Sequence, residues 1–156
     1  MKENNTVVEK LNQILAGELT AIDQYLIHSK MYKNFGYNKL YKKMNYEVSE
    51  EREHARLLIE RILFLKGTPK IESRLPIHIG KNVSEMIEND LALEKKVVHY
   101  LRVTIAFCES LVKDFTSSSV LIELLKESEQ GHILWLEQQK KHIDELGLQK
   151  YLMTCL

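Results

Sequence analysis

With two cysteines, two prolines and six glycines in 156 residues, this chain is short of the residues that staple, break or bend a fold. Cys108 and Cys155 lie far apart and outside any Cys-x-x-Cys pair, which argues against a disulfide framework and against a thiolate metal site. The chain also lacks an excess of either charge: 22 basic and 22 acidic residues cancel and are scattered, so nothing marks a surface for nucleic acid or an anionic membrane. No apolar run approaches the length of a bilayer span, and the opening Met-Lys-Glu-Asn-Asn-Thr has no apolar signal core, so the expected location is cytoplasmic. What is present is 44% hydrophobic residues, enough for one compact domain over residues 1–156.

Those hydrophobic residues recur at helical spacing. Val7, Leu11, Ile14, Leu15, Ala21, Ile22, Tyr25 and Leu26 predict a helix from Thr6 to about Asn34, interrupted at Gly36. Leu40, Met44, Val48, Ala55, Leu58, Ile59 and Ile62 predict a second from about Asn38 to Leu65, stopped by Gly67-Thr68-Pro69. Both prolines, Pro69 and Pro76, fall between residues 67 and 82, which therefore read as an extended connection. A third helix follows, capped by Ser84 and ending near residues 116–119; a fourth runs from about Ser119 to Leu146, closed by Gly147 in a left-handed conformation. The tail places Leu148, Tyr151, Leu152 and Cys155 on one stripe, giving a short fifth helix over about 148–155 that must dock to be stable. The expected fold is all-α: a four-helix bundle over about 6–146 with one long crossover between its second and third helices.

Two Glu-x-x-His pairs, Glu51/His54 and Glu129/His132, sit within the second and fourth helices, and Glu18 and Glu94 sit within the first and third. Composition alone would produce about 0.7 such pairs, so the count decides little and placement decides more. Glu18 is flanked at three, four and seven residues by Leu11, Ile14, Leu15, Ala21, Ile22 and Tyr25, and Glu94 by Ile87, Leu91, Val97, Val98 and Leu101, all on one helical face. Four carboxylates turned into one core would cost several kcal/mol each as bare charges. Two divalent cations would balance four carboxylates, and one imidazole per ion with no thiolate favours iron or manganese. The order along the chain is that of the carboxylate-bridged di-iron bundles, which are a worked example of this architecture. Counted from Gly36, Glu18 and Glu51 fall within ~4.5 Å of one level; counted from Ser117, Glu94 and Glu129 differ by ~16 Å. Glu127, five residues before His132, would point elsewhere on an α-helix, which leaves Glu129 as the expected ligand.

Residues 12–25 (Asn-Gln-Ile-Leu-Ala-Gly-Glu-Leu-Thr-Ala-Ile-Asp-Gln-Tyr), 60–69, 90–94 (Asp-Leu-Ala-Leu-Glu) and 129–137 resemble the bacterioferritin family, over nearly the whole chain. The resemblance implies a ferritin-like bundle whose Glu18 and His54 serve one iron, Glu94 and His132 the other, with Glu51 and Glu129 bridging. It implies two iron ions per subunit, oxidation of ferrous iron with dioxygen or peroxide, and storage of ferric mineral in a 24-subunit shell whose fourfold channels are lined by the tail. Tyr25 and Trp135 match family aromatics near the di-iron centre.

The chain departs from the family at three places. Haem b in this family is held by a methionine next to the first bridging glutamate, and here that position is Arg52, which cannot act as a thioether ligand. Haem would then require a second, methionine-bearing subunit in a mixed shell. The stretch before Glu129 is longer than the family pattern by one residue, and the preceding turn by another. Inner-surface histidine and aspartate are replaced by Tyr46 and Glu50, beside Glu47. His28, His78, His99 and His142 lack carboxylates at ligand spacing and read as surface residues or supports. The competing functions are a structural or accessory subunit of a mixed shell and a soluble di-iron peroxidase; the latter would ordinarily carry paired Cys-x-x-Cys, which is absent.

Overall fold

Residues 2–156 are described by a computed structural model. The chain forms helices α1 (Lys2–Phe35), α2 (Asn38–Phe64), α3 (Val83–Phe107), α4 (Phe115–Glu127), α5 (Leu134–Leu146) and α6 (Leu148–Met153), with no strand among the described residues. One π-helical turn, Cys108–Val112, extends α3, and a second, Ser128–Ile133, splices α4 and α5 into a single rod. The first helix begins a turn earlier than residue 6. The result is the expected all-α bundle: α1 packs on α2, α3 packs on the α4–α5 rod, and a long crossover joins the pairs.

The apolar stripes meet along one axis. Leu11, Ile14 and Leu15 of α1, Leu58 and Ile62 of α2, Met86, Ile87 and Leu101 of α3, and Leu121, Leu124 and Leu136 of the fourth rod are all buried. Each fully buried aliphatic side chain contributes about 1.5–3 kcal/mol, which is what drives the helices together.

A polar stripe on α1 holds the crossover against the bundle. Asn12 accepts from Lys70 N (2.8 Å) and donates to Thr68 O (3.0 Å), and Thr20 Oγ1 accepts from Leu75 N (2.8 Å). Further along, Gln24 Oε1 accepts from His78 N (3.0 Å) and His28 Nε2 from Gly80 N (3.1 Å). The crossover thus runs parallel to α1, so α3 starts at the far end of the bundle and runs parallel to α2. His28 is therefore no surface residue: it is wholly buried, with Nδ1 2.8 Å from Asp90 Oδ1. At Gly80 the backbone passes so close to Met86 that an added Cβ would lie 2.4 Å from its nitrogen, so only glycine fits.

Three helix ends differ from expectation. The cap of α3 is Asn82 and not Ser84: Asn82 Oδ1 accepts from Glu85 N (3.0 Å) while Glu85 Oε2 accepts from Lys81 N (2.8 Å), a reciprocal arrangement that Ser84 could not make. The turn into the fourth rod falls at Lys113, in the left-handed region (φ 59°, ψ 31°), and α4 begins at Phe115 rather than at 119, because Asp114 caps Ser117 N. Gly147 has φ 78° and ψ 149°, outside the left-handed helical region; this extended conformation redirects the chain into α6. That helix docks through Tyr151, which is buried and donates to Gln139 Oε1 (2.8 Å), and through Cys155 O, which accepts from Lys39 N (3.1 Å).

Asp114 does two jobs, capping α4 and pairing with Arg61 of α2 (3.0 Å), whose Nε also donates to Ser117 Oγ (2.7 Å). Replacing Asp114 with Ala should lower stability by about 2 kcal/mol, the sum of a lost cap and a half-buried charged hydrogen bond. Thermal unfolding followed by circular dichroism checks this; an unchanged midpoint would show that the turn is held by packing alone.

Candidate metal centre

The inward stripes of all four rods carry acid groups to one level of the core. Glu18 (1% exposed), Glu51, His54, Glu94 and His132 (2% each) are buried together, and Glu47 (5%) joins them. His54 Nδ1 lies 3.2 Å from Glu51 Oε2 and 3.6 Å from Glu18 Oε2; His132 Nδ1 lies 3.0 Å from Glu94 Oε1 and 3.7 Å from Glu47 Oε2. Tyr25 donates to Glu94 Oε1 (2.7 Å) and sets its ring edge-on to His132 (4.8 Å between centroids), while Trp135 stacks on the other side at 6.4 Å.

Of the six expected ligands, the structure brings five together. Glu129 is placed elsewhere: its carboxylate is 2.7 Å from Arg102 Nη2 on the outer surface. The reason is the π turn at Ser128–Ile133. In a π turn the backbone bonds i to i+5, so a five-residue spacing shares a face and a three-residue spacing is carried off it. Glu127, the residue five before His132, accepts from His54 Nε2 (2.6 Å) instead, with half of its side chain exposed. The turn at Lys113 restores the level that counting from Ser117 denied: Glu94 lies 19 residues before Lys113 and His132 lies 19 after it. Glu47 was the residue left out of the ligand list, although its signal was present, since Glu47, Glu51 and His54 stand at i, i+4 and i+7 on one face of α2.

Three triads have ligand atoms all within 4.8 Å of one another: the buried sets Glu18, Glu51 and His54, and Glu47, Glu51 and His132, and a more exposed set of Glu50, His54 and Glu127. Glu51 belongs to both buried sets. A metal ion fits this donor set on a further observation: Glu18 Oε1, Glu51 Oε2 and His54 Nδ1 are buried with no hydrogen-bond partner, as is His132 Nε2, although His132 faces Glu94 and Glu47 through Nδ1. Unpartnered buried donors and acceptors are costly in an apolar core, and the three at Glu18, Glu51 and His54 are what coordination would satisfy. His54 is already oriented for this, because an Nε2–H given to Glu127 leaves the lone pair on Nδ1, facing Glu18 and Glu51. A cavity of about 520 Å³ opens onto the cluster, lined among others by Lys43, Tyr46, Glu50, Glu123 and Ser128.

Without an ion the carboxylates repel. Burial first, then the Glu18 charge, pushes Glu51 up to about 8; burial and then the Glu51 charge push Glu94 up to about 7. Burial opposes charge on the two histidines, but the carboxylates beside them outweigh it and raise both, Glu18 and Glu51 acting on His54 and Glu94 chiefly on His132. Burial also raises Tyr25, reinforced by Glu94.

The folded, metal-free cluster therefore holds more protons than the unfolded chain, so stability falls as pH rises through about 5 to 9. Carboxylates with raised values weigh increasingly against folding as the unfolded chain sheds its protons, and the imidazoles lose their advantage as they deprotonate. A divalent ion needs those protons gone, so its binding strengthens in the same direction. Thermal midpoints at about pH 5.5 and 8.5, with and without Zn(II), should show a lower metal-free midpoint and a larger zinc-induced rise at the higher pH. The opposite ordering would mean that other groups govern the pH response.

Comparison with known proteins agrees with this architecture. The Ferritin-like domain matches residues 8–146. The chain is 46% identical over 155 residues to "Bacterial ferritin" of Paramagnetospirillum magnetotacticum, covering 99% of this chain and 94% of that protein. It is 46% identical over 154 residues to "Bacterial ferritin" of Pseudomonas aeruginosa, with 99% of each chain covered. Against "Bacterioferritin" of Mycolicibacterium paratuberculosis the identity is 35% over 156 residues, covering 100% of this chain and 97% of that protein. With its bundle, its long crossover and its buried Glu/His cluster, the chain belongs to the ferritin-like family, among the bacterial ferritins and bacterioferritins.

Proposed function

We propose that this chain is a ferroxidase subunit of an iron-storage shell, taking ferrous ions as substrate and delivering ferric iron for mineral laid down inside a 24-subunit assembly in the cytoplasm. The observation that carries this reading is the pair of buried triads sharing Glu51, with Glu18 Oε1, Glu51 Oε2 and His54 Nδ1 unpartnered. Glu18 and His54 would hold one iron, Glu94 and His132 the other, and Glu51 would bridge them. Each ferrous ion gives up one electron; dioxygen takes the pair with two protons to hydrogen peroxide, or peroxide takes it with two protons to water. Carboxylates suit such work because they shift between terminal and bridging modes as the charge on iron rises, while His54, held by Glu127, keeps its position.

No helix among the described residues is long and apolar enough to cross a membrane, in keeping with a shell subunit. Haem is not assigned to this chain alone: Arg52 is exposed on α2, and Met44 and Met86 are core residues. A partner subunit bearing a methionine would supply it in a mixed shell. A second reading, an accessory subunit that builds wall without catalysis, is favoured by one observation, the pairing of Glu129 with Arg102, which leaves the second ion short of an expected carboxylate.

Titrating metal-free protein with ferrous iron in air decides between them. A fast oxidation phase that saturates near two irons per subunit and vanishes in Glu51→Ala is the expected result, together with a sedimenting species of 24 subunits. Absence of the fast phase in the unaltered protein would leave the accessory reading.

A further inference from the structure

Resting on the two-ion reading above, we propose that Glu47 supplies the carboxylate that Glu129 does not, and that Lys43 is a resident counter-ion which the second metal ion displaces from it.

Glu47 stands one turn before Glu51 on the same face of α2, is buried, and directs Oε2 to within 3.7 Å of His132 Nδ1. Together with Glu51, whose Oε2 has no partner, it completes a triad of ligand atoms within 4.8 Å. Its other oxygen faces away: Oε1 lies 2.7 Å from Lys43 Nζ. The carboxylate is thus divided between an ammonium on one side and a ligand cluster on the other.

Charge accounts for the division. Glu18, Glu47, Glu51 and Glu94 are four buried carboxylates, and two divalent ions with two neutral imidazoles balance them. Lys43 is then surplus. Before any ion enters, a buried Glu47 needs a cation, and Lys43, one turn earlier, provides it. The lysine is built to leave: its side chain is 28% exposed, it lines the cavity that opens onto the cluster, and its ammonium lies over the rings of Trp135 (5.5 Å) and Tyr46 (5.6 Å). Rotation into the cavity moves the charge to solvent with no change in the backbone. Lys43 therefore competes with the second ion and sets its affinity, while the first ion, at Glu18 and His54, is held apart from that competition.

Co(II) titration of metal-free protein by calorimetry and by its visible absorption tests this, with circular dichroism confirming helix content in each variant. The unaltered chain should bind two ions per subunit, Glu47→Gln one, and Glu129→Gln two with unchanged affinity. Lys43→Gln should bind two, the second about tenfold more tightly, whereas Lys43→Arg should match the unaltered chain. Loss of an ion in Glu129→Gln with both retained in Glu47→Gln would overturn the assignment, and unchanged affinity in Lys43→Gln would overturn the counter-ion role. A two-ion centre that survives either result separates this failure from that of the ferroxidase reading, which fails if the unaltered chain shows no fast oxidation phase; fewer than two ions bound by the unaltered chain would sink both.

Discussion

Everything near the centre of this bundle follows from the cost of placing four carboxylates out of water. An isolated buried carboxylate either takes up a proton or finds a cation, and the metal-free chain uses both remedies. Burial and mutual repulsion push Glu51 up to about 8 and Glu94 up to about 7, the carboxylates beside His54 and His132 raise both imidazoles, and Lys43 reaches in to Glu47. Glu18 Oε1, Glu51 Oε2 and His54 Nδ1 still lack partners. Such a cluster is poor stability design and good binding design, since a divalent ion relieves repulsion, desolvation and missing hydrogen bonds together. The rest of the fold supplies the rigidity that keeps the cluster from relaxing away.

That rigidity comes from two unlike devices. Apolar stripes bring the rods together, but they leave sliding along the axis open. Sliding is stopped by polar groups at fixed heights: Asn12, Thr20, Gln24 and His28 pin successive backbone atoms of the crossover to α1, and Arg61 locks α2 to the turn at Asp114. A π turn performs the finer adjustment. The turn at Ser128–Ile133 sets the phase of the fourth rod, so that His132 meets Glu94 at 3.0 Å while Glu129 turns to Arg102 and Glu127, half exposed, reaches His54.

The chain's membership in its family leaves room for such differences. Identities of 35–46% with bacterial ferritins and a bacterioferritin over nearly the whole chain carry the family and its bundle. They do not by themselves place Glu129, whose direction depends on helical phase over a few residues.

Helical periodicity made the four rods and the crossover legible, because a 3.6-residue repeat says which residues share a face and burial follows from their apolar neighbours. Glu18 and Glu94 were placed in the core by that argument, and Glu51, His54 and His132 by the Glu-x-x-His pairs together with the family resemblance. Glu47 could have been, since i, i+4 and i+7 is the same signal; it was masked by a neighbour, Tyr46, that reads as surface. His28 was left between surface and support because its partner, Asp90, lies on another helix 62 residues away, and no local pattern records that. What only the tertiary structure decided is phase. Whether the residue three before His132 reaches the cluster depends on the π turn at Ser128–Ile133, which carries a three-residue spacing off the shared face and leaves Glu129 on Arg102.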